Sequence, residues 1–169
     1  TYPYLAVTVG EEYPRVAVVR EAKRKGTRYF GPYTQVWAIK ATLEELIRVF
    51  PVRSCRNGVF NQAKRSGRAC LLGYIDKCSA PCVGRISSED YSGLVNQLMR
   101  FLSGQTREFV DHIGEQMQQA ADSEDFEAAA KWRDRLVALE KVLERNSVVF
   151  EDSTDADLLA FTFDELNVG

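Results

Sequence analysis

The chain has a single histidine among its 169 residues, His112, which lies on a predicted helix. No Ser/His/Asp arrangement can be assembled around it. No Gly-rich nucleotide-binding loop stands out, and the carboxylates do not gather into a site; Asp152, Asp155 and Asp157 read as a solvated acidic turn. No apolar run approaches the ~18 residues that a membrane span needs, so no membrane partner is expected. The opening Thr1-Tyr2-Pro3 lacks the features of a signal peptide. The sequence starts directly in strand-like residues and stops partway through an apolar run, so a piece of a longer protein is expected. No catalytic constellation stands out among these residues.

What is present is the composition of a globular protein, with 45% apolar and 27% charged residues, long enough for one ordinary domain or two small ones. The net charge of −2 conceals a strong asymmetry. Residues 1–85 hold 15 basic and 6 acidic residues, a net of +9, whereas residues 86–169 hold 7 basic and 18 acidic, a net of −11. Two modules with different partners are the sharper reading, the basic one suited to a polyanion such as nucleic acid. The plainer reading is that both sets of charges solvate surfaces.

Along the chain, residues 4–9 and 15–20 are β-branched runs that predict an antiparallel hairpin. A basic stretch, Lys23-Arg24-Lys25-Gly26, precedes Tyr29-Phe30-Gly31-Pro32-Tyr33, where Gly31-Pro32 marks a turn. Thr34 is placed to cap a helix running to about Phe50, with Val36, Ile39, Leu43, Leu46 and Ile47 on its apolar face and Pro51 ending it. Residues 52–85 show no sustained period and read as loop-rich. From Ser87 a capped helix is predicted to about Leu102, broken by Ser103-Gly104. Two further helices, from Thr106 to about Ala121 and from about Asp125 to Arg145, joined by a short polar turn, must lie antiparallel. Val148–Phe150 and Leu158–Phe163 are predicted strands. The fold class is therefore α+β. The expected organisation is a basic β-hairpin/helix and Cys-rich module at 1–86, a helical region at 87–146 with its hairpin at 106–146, and the start of a further domain at 147–169.

All four cysteines, Cys55, Cys70, Cys78 and Cys82, fall within 28 residues of the loop-rich stretch. A stretch that long needs something to tie it down, and in a reducing compartment a cysteine cluster binds metal more often than it forms disulfides. Four thiolates can hold one tetrahedral zinc or the corners of a [4Fe–4S] cluster. Zinc ribbons usually present two close pairs; here only Cys78 and Cys82 are close, and the other two arrive singly, which suits the larger cluster better. Arg53, Arg56, Lys64, Arg65, Arg68 and Lys77 would offset the thiolate charge. Four buried reduced thiols packing as small hydrophobes is the remaining alternative.

Several runs then carry a family resemblance. Tyr29-Phe30-Gly31-Pro32-Tyr33, Phe50-Pro51-Val52-Arg53-Ser54-Cys55, Arg68-Ala69-Cys70-Leu71, Cys78-Ser79-Ala80-Pro81-Cys82-Val83 and Phe101-Leu102-Ser103-Gly104 resemble the UvrC family of bacterial nucleotide excision repair, in order and spacing. Asp125-Phe126-Glu127-Ala128-Ala129-Ala130 and Arg133-Asp134-Arg135-Leu136 resemble the UVR motif of UvrC and UvrB. The resemblance implies a cytoplasmic bacterial protein that cuts damaged DNA on both sides of a lesion, with both nuclease sites outside this chain. It implies a [4Fe–4S] cluster on Cys55, Cys70, Cys78 and Cys82. It further implies that the hairpin pairs with a similar hairpin at the C-terminus of UvrB. A two-helix hairpin cannot bury its apolar stripe alone, and a second hairpin would complete a four-helix core.

Phe126 is the expected anchor beside Ala129 and Ala130, with Arg133 and Asp134 pairing at the rim. The alternative is that Phe126, Trp132 and Met117 pack inward. Lys23, Arg24, Lys25, Arg28, Arg53, Arg56, Lys64, Arg65 and Arg68 are candidate contacts to DNA phosphates, independent of sequence. Tyr29 and Tyr33 are candidate base-stacking residues that could equally pack the hairpin. Two rival functions remain open at this point: a zinc-stabilised chaperone adaptor with a UVR hairpin, and a redox-sensing DNA-binding module.

Overall fold

The computed structural model describes residues 2–21 and 23–149, with side chains to Leu143. Three short strands open the chain, β1 (Tyr4–Val7), β2 (Val16–Val19) and β3 (Arg28–Phe30). They form an antiparallel sheet in the order β2-β1-β3. Leu5 stands opposite Val18 and Phe30, and Val7 opposite Val16. Residues directly opposite share a face, so these side chains make one apolar surface, with Leu5, Val7, Val16 and Phe30 buried. The expected hairpin is present. The third strand is an addition, recruited from the run expected to be a basic stretch and a turn.

Helix α1 (Val36–Val49) lies close to its expected span, but Thr34 does not cap it; the N-cap is Gln35, without a side-chain bond. Ile39, Leu46 and Ile47 turn into the core, and Trp37 is exposed. The next stretch corrects the loop-rich reading. It contains helix α2 (Asn57–Ser66), a single turn α3 (Leu71–Tyr74) and a 3-10 turn at Pro81–Val83. Only Phe60 and Ala63 of α2 are buried, and Gly67 closes the helix in the left-handed region (φ 70°) that glycine adopts at little cost.

Helix α4 (Ser88–Leu102) begins where predicted, and the Ser87 hydroxyl accepts the Asp90 N–H at 3.1 Å. Helices α5 (Thr106–Asp122) and α6 (Phe126–Val149) form the expected antiparallel hairpin. Asp125 caps α6 by accepting the Ala128 N–H at 3.1 Å. Val148 and Val149 belong to this helix rather than to a strand. The other residues of the two strands expected near the end, and the acidic turn between them, lie outside the described residues.

One hydrophobic cluster runs from Leu5 and Val7 through α1 and α4 to Ala138, Leu139, Val142 and Leu143 of α6. The expected boundary at 86/87 is therefore no break in packing: Tyr91, Val95, Leu98 and Phe101 of α4 share that core with the sheet. The rings of Phe50, Phe101 and Phe109 meet at its centre with centroids 5.4–6.1 Å apart. Among the described residues no helix is long and apolar enough to cross a membrane.

Candidate cluster site, basic surface and helical hairpin

The four cysteines sit at the joints of the short elements. Cys55 precedes α2, Cys70 is the residue before α3, Cys78 follows it, and Cys82 lies within the 3-10 turn, which packs against α2. The loops between them are tied to the core. The Ser79 N–H and hydroxyl both donate to the Pro51 carbonyl at 2.8 Å. The Arg53 carbonyl accepts the Val16 N–H at 3.0 Å, and the Arg53 N–H donates to the Tyr91 hydroxyl at 3.0 Å. Tyr91 in turn donates to the Pro14 carbonyl. Ala80 adopts a left-handed conformation (φ 52°) and points its N–H at the Cys78 sulfur, 3.4 Å away.

All four thiols are free and half-buried. Burial pushes the Cys78 thiol up to about 11, with the charges of Cys55, Cys70 and Cys82 adding to it and the Ala80 N–H opposing. Cys82 is raised as well, by burial and then by Cys55 and Cys70. Among the described residues no three His, Cys, Asp or Glu side chains converge on a single-ion site. One zinc at bonds of ~2.3 Å would need its thiolates about 4 Å apart; a four-iron cluster spreads them wider.

Arg53 belongs to this site and not to a DNA surface. It is buried, its Nε donates to the Tyr13 carbonyl at 2.7 Å, and its Nη2 reaches Glu11 and Asn57, each at 2.8 Å. Its Nη1 lies 3.4 Å from the Cys55 carbonyl and 3.9 Å from the Cys55 sulfur. The guanidinium also stacks 4.4 Å over the Phe60 ring. Every direction in which it could meet a phosphate is occupied. Glu11, Tyr13 and Tyr91 were not legible as partners, because they approach from 38 to 42 positions away; Asn57 is four residues on.

Tyr33 is likewise corrected: it is fully buried and presents no face to a base. Tyr29 is half-buried, edge-on to Tyr4 at 6.1 Å, with its hydroxyl accepting the Arg24 N–H at 2.8 Å. The remaining cations stay at the surface. Lys23, Arg24 and Lys25 occupy the β2–β3 connection, Arg28 lies on β3 within 3.2 Å of the Ser103 hydroxyl, and Arg56, Lys64, Arg65 and Arg68 line α2 and its ends. Three exposed apolar side chains beside the cysteines, Leu71, Tyr74 and Ile75, escaped the sequence reading although their spacing on one turn was visible.

The hairpin is buried at one end and free at the other. Phe126, at the turn, is 71% exposed, whereas Leu139, Val142 and Leu143 are packed in the core. Ala129 and Ala130 are half-buried, and the exposed Arg133 and Asp134 face each other at 3.5 Å. Trp132 and Met117 are half-buried, Trp132 edge-on to His112 at 6.3 Å. Phe126 is thus exposed at the tip, while Trp132 packs against the core. A groove of about 490 Å³ separates the Cys78 loop from this helix, lined by Lys77, Cys78, Lys131, Asp134 and Arg135 among others.

Comparison with known proteins covers both parts. The family model described as UvrC/Cho excinuclease, middle domain, matches residues 2–101, and that of the UvrB/uvrC motif matches residues 108–142. The chain is 57% identical to UvrABC system protein C of Kocuria rhizophila over 98% of its length and 24% of that protein's. The protein of the same name from Thermobifida fusca is 54% identical over 98% of the chain and 25% of its own length. That from Mycobacterium leprae is 54% identical over 99% of the chain and 26% of its own length. The chain thus spans about a quarter of the length of the curated relatives it matches. No solved structure matches it.

Proposed function

The chain belongs to the UvrC/Cho excinuclease middle-domain family, and from that premise we propose that it is the non-catalytic centre of a cytoplasmic DNA excision-repair nuclease subunit. It holds a [4Fe–4S] cluster on Cys55, Cys70, Cys78 and Cys82, contacts damaged DNA without regard to sequence, and docks UvrB through the α5–α6 hairpin.

The hairpin carries the reading. Its root is packed against α1 and its tip presents an unpartnered aromatic, Phe126, beside small residues. Large aromatics set next to small residues are typical anchors of an interface. The residues around the cysteines fit a cluster: four half-buried thiols, an N–H aimed at Cys78 and a guanidinium beside Cys55. N–H donors and nearby cations stabilise thiolate-bound iron. When bound, the cluster would supply a four-point staple between elements too short to pack by themselves. The match through the cysteine module weighs against the chaperone-adaptor alternative; zinc in place of iron remains the alternative for the metal. Exposed Lys23, Arg24, Lys25, Arg28, Arg56, Lys64, Arg65 and Arg68 would neutralise phosphates.

The test is calorimetric titration of the anaerobically purified chain, its iron content and visible spectrum recorded alongside, with the C-terminal hairpin of UvrB. We expect four irons per chain and saturable binding, weakened roughly 30-fold by Phe126→Ala, the loss of a ~2 kcal/mol interface anchor. Undiminished binding by Phe126→Ala would remove the hairpin tip from the interface. One zinc and no colour would replace the cluster by a single ion.

A further inference from the structure

A single turn beside the cysteines exposes three large apolar side chains together. Leu71 is 70% exposed, Tyr74 64% and Ile75 47%. Leu71 and Tyr74, three residues apart, share a face of α3, and Ile75 follows as its C-cap. Isolated exposed apolar residues are ordinary, but a contiguous trio marks a contact surface.

The turn is firmly seated. Its opposite side is Gly73, where a Cβ would come within 2.9 Å of the Ala69 Cβ and 3.3 Å of the Ala80 Cβ. Only glycine lets the backbone approach so closely. Arg85 clamps the turn by donating to the Gly73 carbonyl at 3.0 Å, and its guanidinium lies 5.4 Å from the centre of the Tyr74 ring. Cys70 and Cys78 bracket the trio in sequence.

Charge identifies the occupant. Residues 52–85 hold seven basic residues and one acidic residue, Asp76. One of the seven, Arg53, is buried and already committed, which leaves six in the same stretch of chain. Exposed aromatic and aliphatic side chains within a cationic field are what unstacked nucleic-acid bases require: a ring to stack on, a wedge to hold the step open, and cations for the phosphates on either side. We propose that the Leu71–Tyr74–Ile75 turn is a wedge for DNA with unpaired bases, with Tyr74 stacking on a base while Arg65, Arg68 and Lys77 neutralise the flanking phosphates. The inference rests on the DNA-contact reading above and assigns the base-contacting element within it.

The test is fluorescence anisotropy of the full chain with a labelled duplex and with the same duplex carrying a short unpaired bubble, each at two salt concentrations. Wild type, Tyr74→Ala and Tyr74→Phe are compared, and matched circular dichroism spectra and melting curves establish that the variants fold. Wild type is expected to bind the bubble about tenfold more tightly than the duplex, the gain of roughly one stacked base. Tyr74→Ala brings that ratio close to one with duplex affinity and its salt dependence unchanged, and Tyr74→Phe retains it. A ratio that survives Tyr74→Ala overturns the wedge and leaves the basic surface standing. Absence of salt-dependent binding to either DNA by wild type overturns the DNA-contact reading, and the wedge with it. If Tyr74→Ala instead weakens binding of the UvrB hairpin and leaves the DNA ratio intact, the patch serves a protein partner and the wedge is overturned.

Discussion

Arg53→Met tests whether the cysteine module is held by a buried ionic hub. The substitution leaves a shorter, unbranched and uncharged side chain and removes the five donors. It abolishes the 2.7 Å bond to the Tyr13 carbonyl, the 2.8 Å bonds to Glu11 and Asn57, and the contacts to Cys55. A hydrogen bond involving a charged group contributes about 1.5–3 kcal/mol, and removing one member of a buried ion pair costs about 3–5 kcal/mol. These figures overlap and do not add. Glu11 retains 36% of its side-chain exposure, so water can replace the guanidinium there. The Tyr13 carbonyl loses its charged donor. We therefore expect a loss of about 3 kcal/mol, near the low end of the buried-pair range. For a chain of this size that is a fall of roughly 6–12 °C in Tm. The assay is urea unfolding followed by circular dichroism at neutral pH, with both proteins in the same metal state. A loss below about 1 kcal/mol at unchanged m-value would refute the hub and place Arg53 among ordinary surface pairs. Arg53→Lys is expected to recover little, since a single ammonium nitrogen cannot reach acceptors that the guanidinium meets from three separate nitrogens.

Leu139→Ala removes a fully buried side chain where α6 meets the core and should cost about 2–5 kcal/mol in the same urea assay. A loss well under that range would mean that the root of the hairpin is not anchored there. Acid sensitivity should contain a contribution from Glu11. Burial acts to raise its pKa, but hydrogen bonds from Asn57 and Thr8 and the charge of Arg53 outweigh it, so the carboxyl lies below its ordinary 4.5. Its stabilising contribution is therefore complete above that value and lost as pH falls through the lower, folded one. Urea midpoints measured from pH 6 downward should converge between wild type and Glu11→Gln; a difference constant with pH would contradict the assignment.

The helical half was legible because its signals are local. Ser87 caps α4, the Ser103-Gly104 break is real, and the apolar stripe of α6 carries Leu139 and Leu143 into the core. Helix α2 was hidden because so little of it is apolar: only Phe60 and Ala63 turn inward, too few to set a period over ten residues. Strand β3 has three residues and exists because β1 offers it an edge, a tertiary cause with no local signature. The two misplaced contacts fail for the same reason. Tyr33 and Arg53 lie in runs rich in the residues that bind nucleic acid, and composition cannot tell which members of a run turn inward. Arg53 turns inward because Glu11, 42 positions earlier, folds back to meet it. The cysteine spacing pointed to one site, and the structure sets the four at the joints of α2, α3 and the 3-10 turn.

Why the hairpin should tolerate a partner at one end without disturbing the rest follows from where its burial stops. Along α6 the buried positions begin at Ala138, and Phe126 lies twelve residues earlier. At 1.5 Å per residue the turn is carried about 18 Å beyond the first fully buried position, with the half-buried Trp132 and Leu136 packed against the core between the two. Over that length the helix is covered on one side by α5, and its charged residues, Arg133 and Asp134 among them, face solvent. A second hairpin could cover that free stretch without displacing any core side chain, so binding would not have to be purchased with unfolding. The same geometry separates two kinds of variant on one helix. Phe126→Ala should leave the urea midpoint unchanged and weaken the partner, because the ring touches little in the free protein. Leu139→Ala should lower the midpoint, and partner affinity in the fraction still folded should fall little, because the tip is intact. If the two effects exchanged places, with Phe126 setting stability and Leu139 setting affinity, the division of α6 into a buried root and a free tip would be wrong.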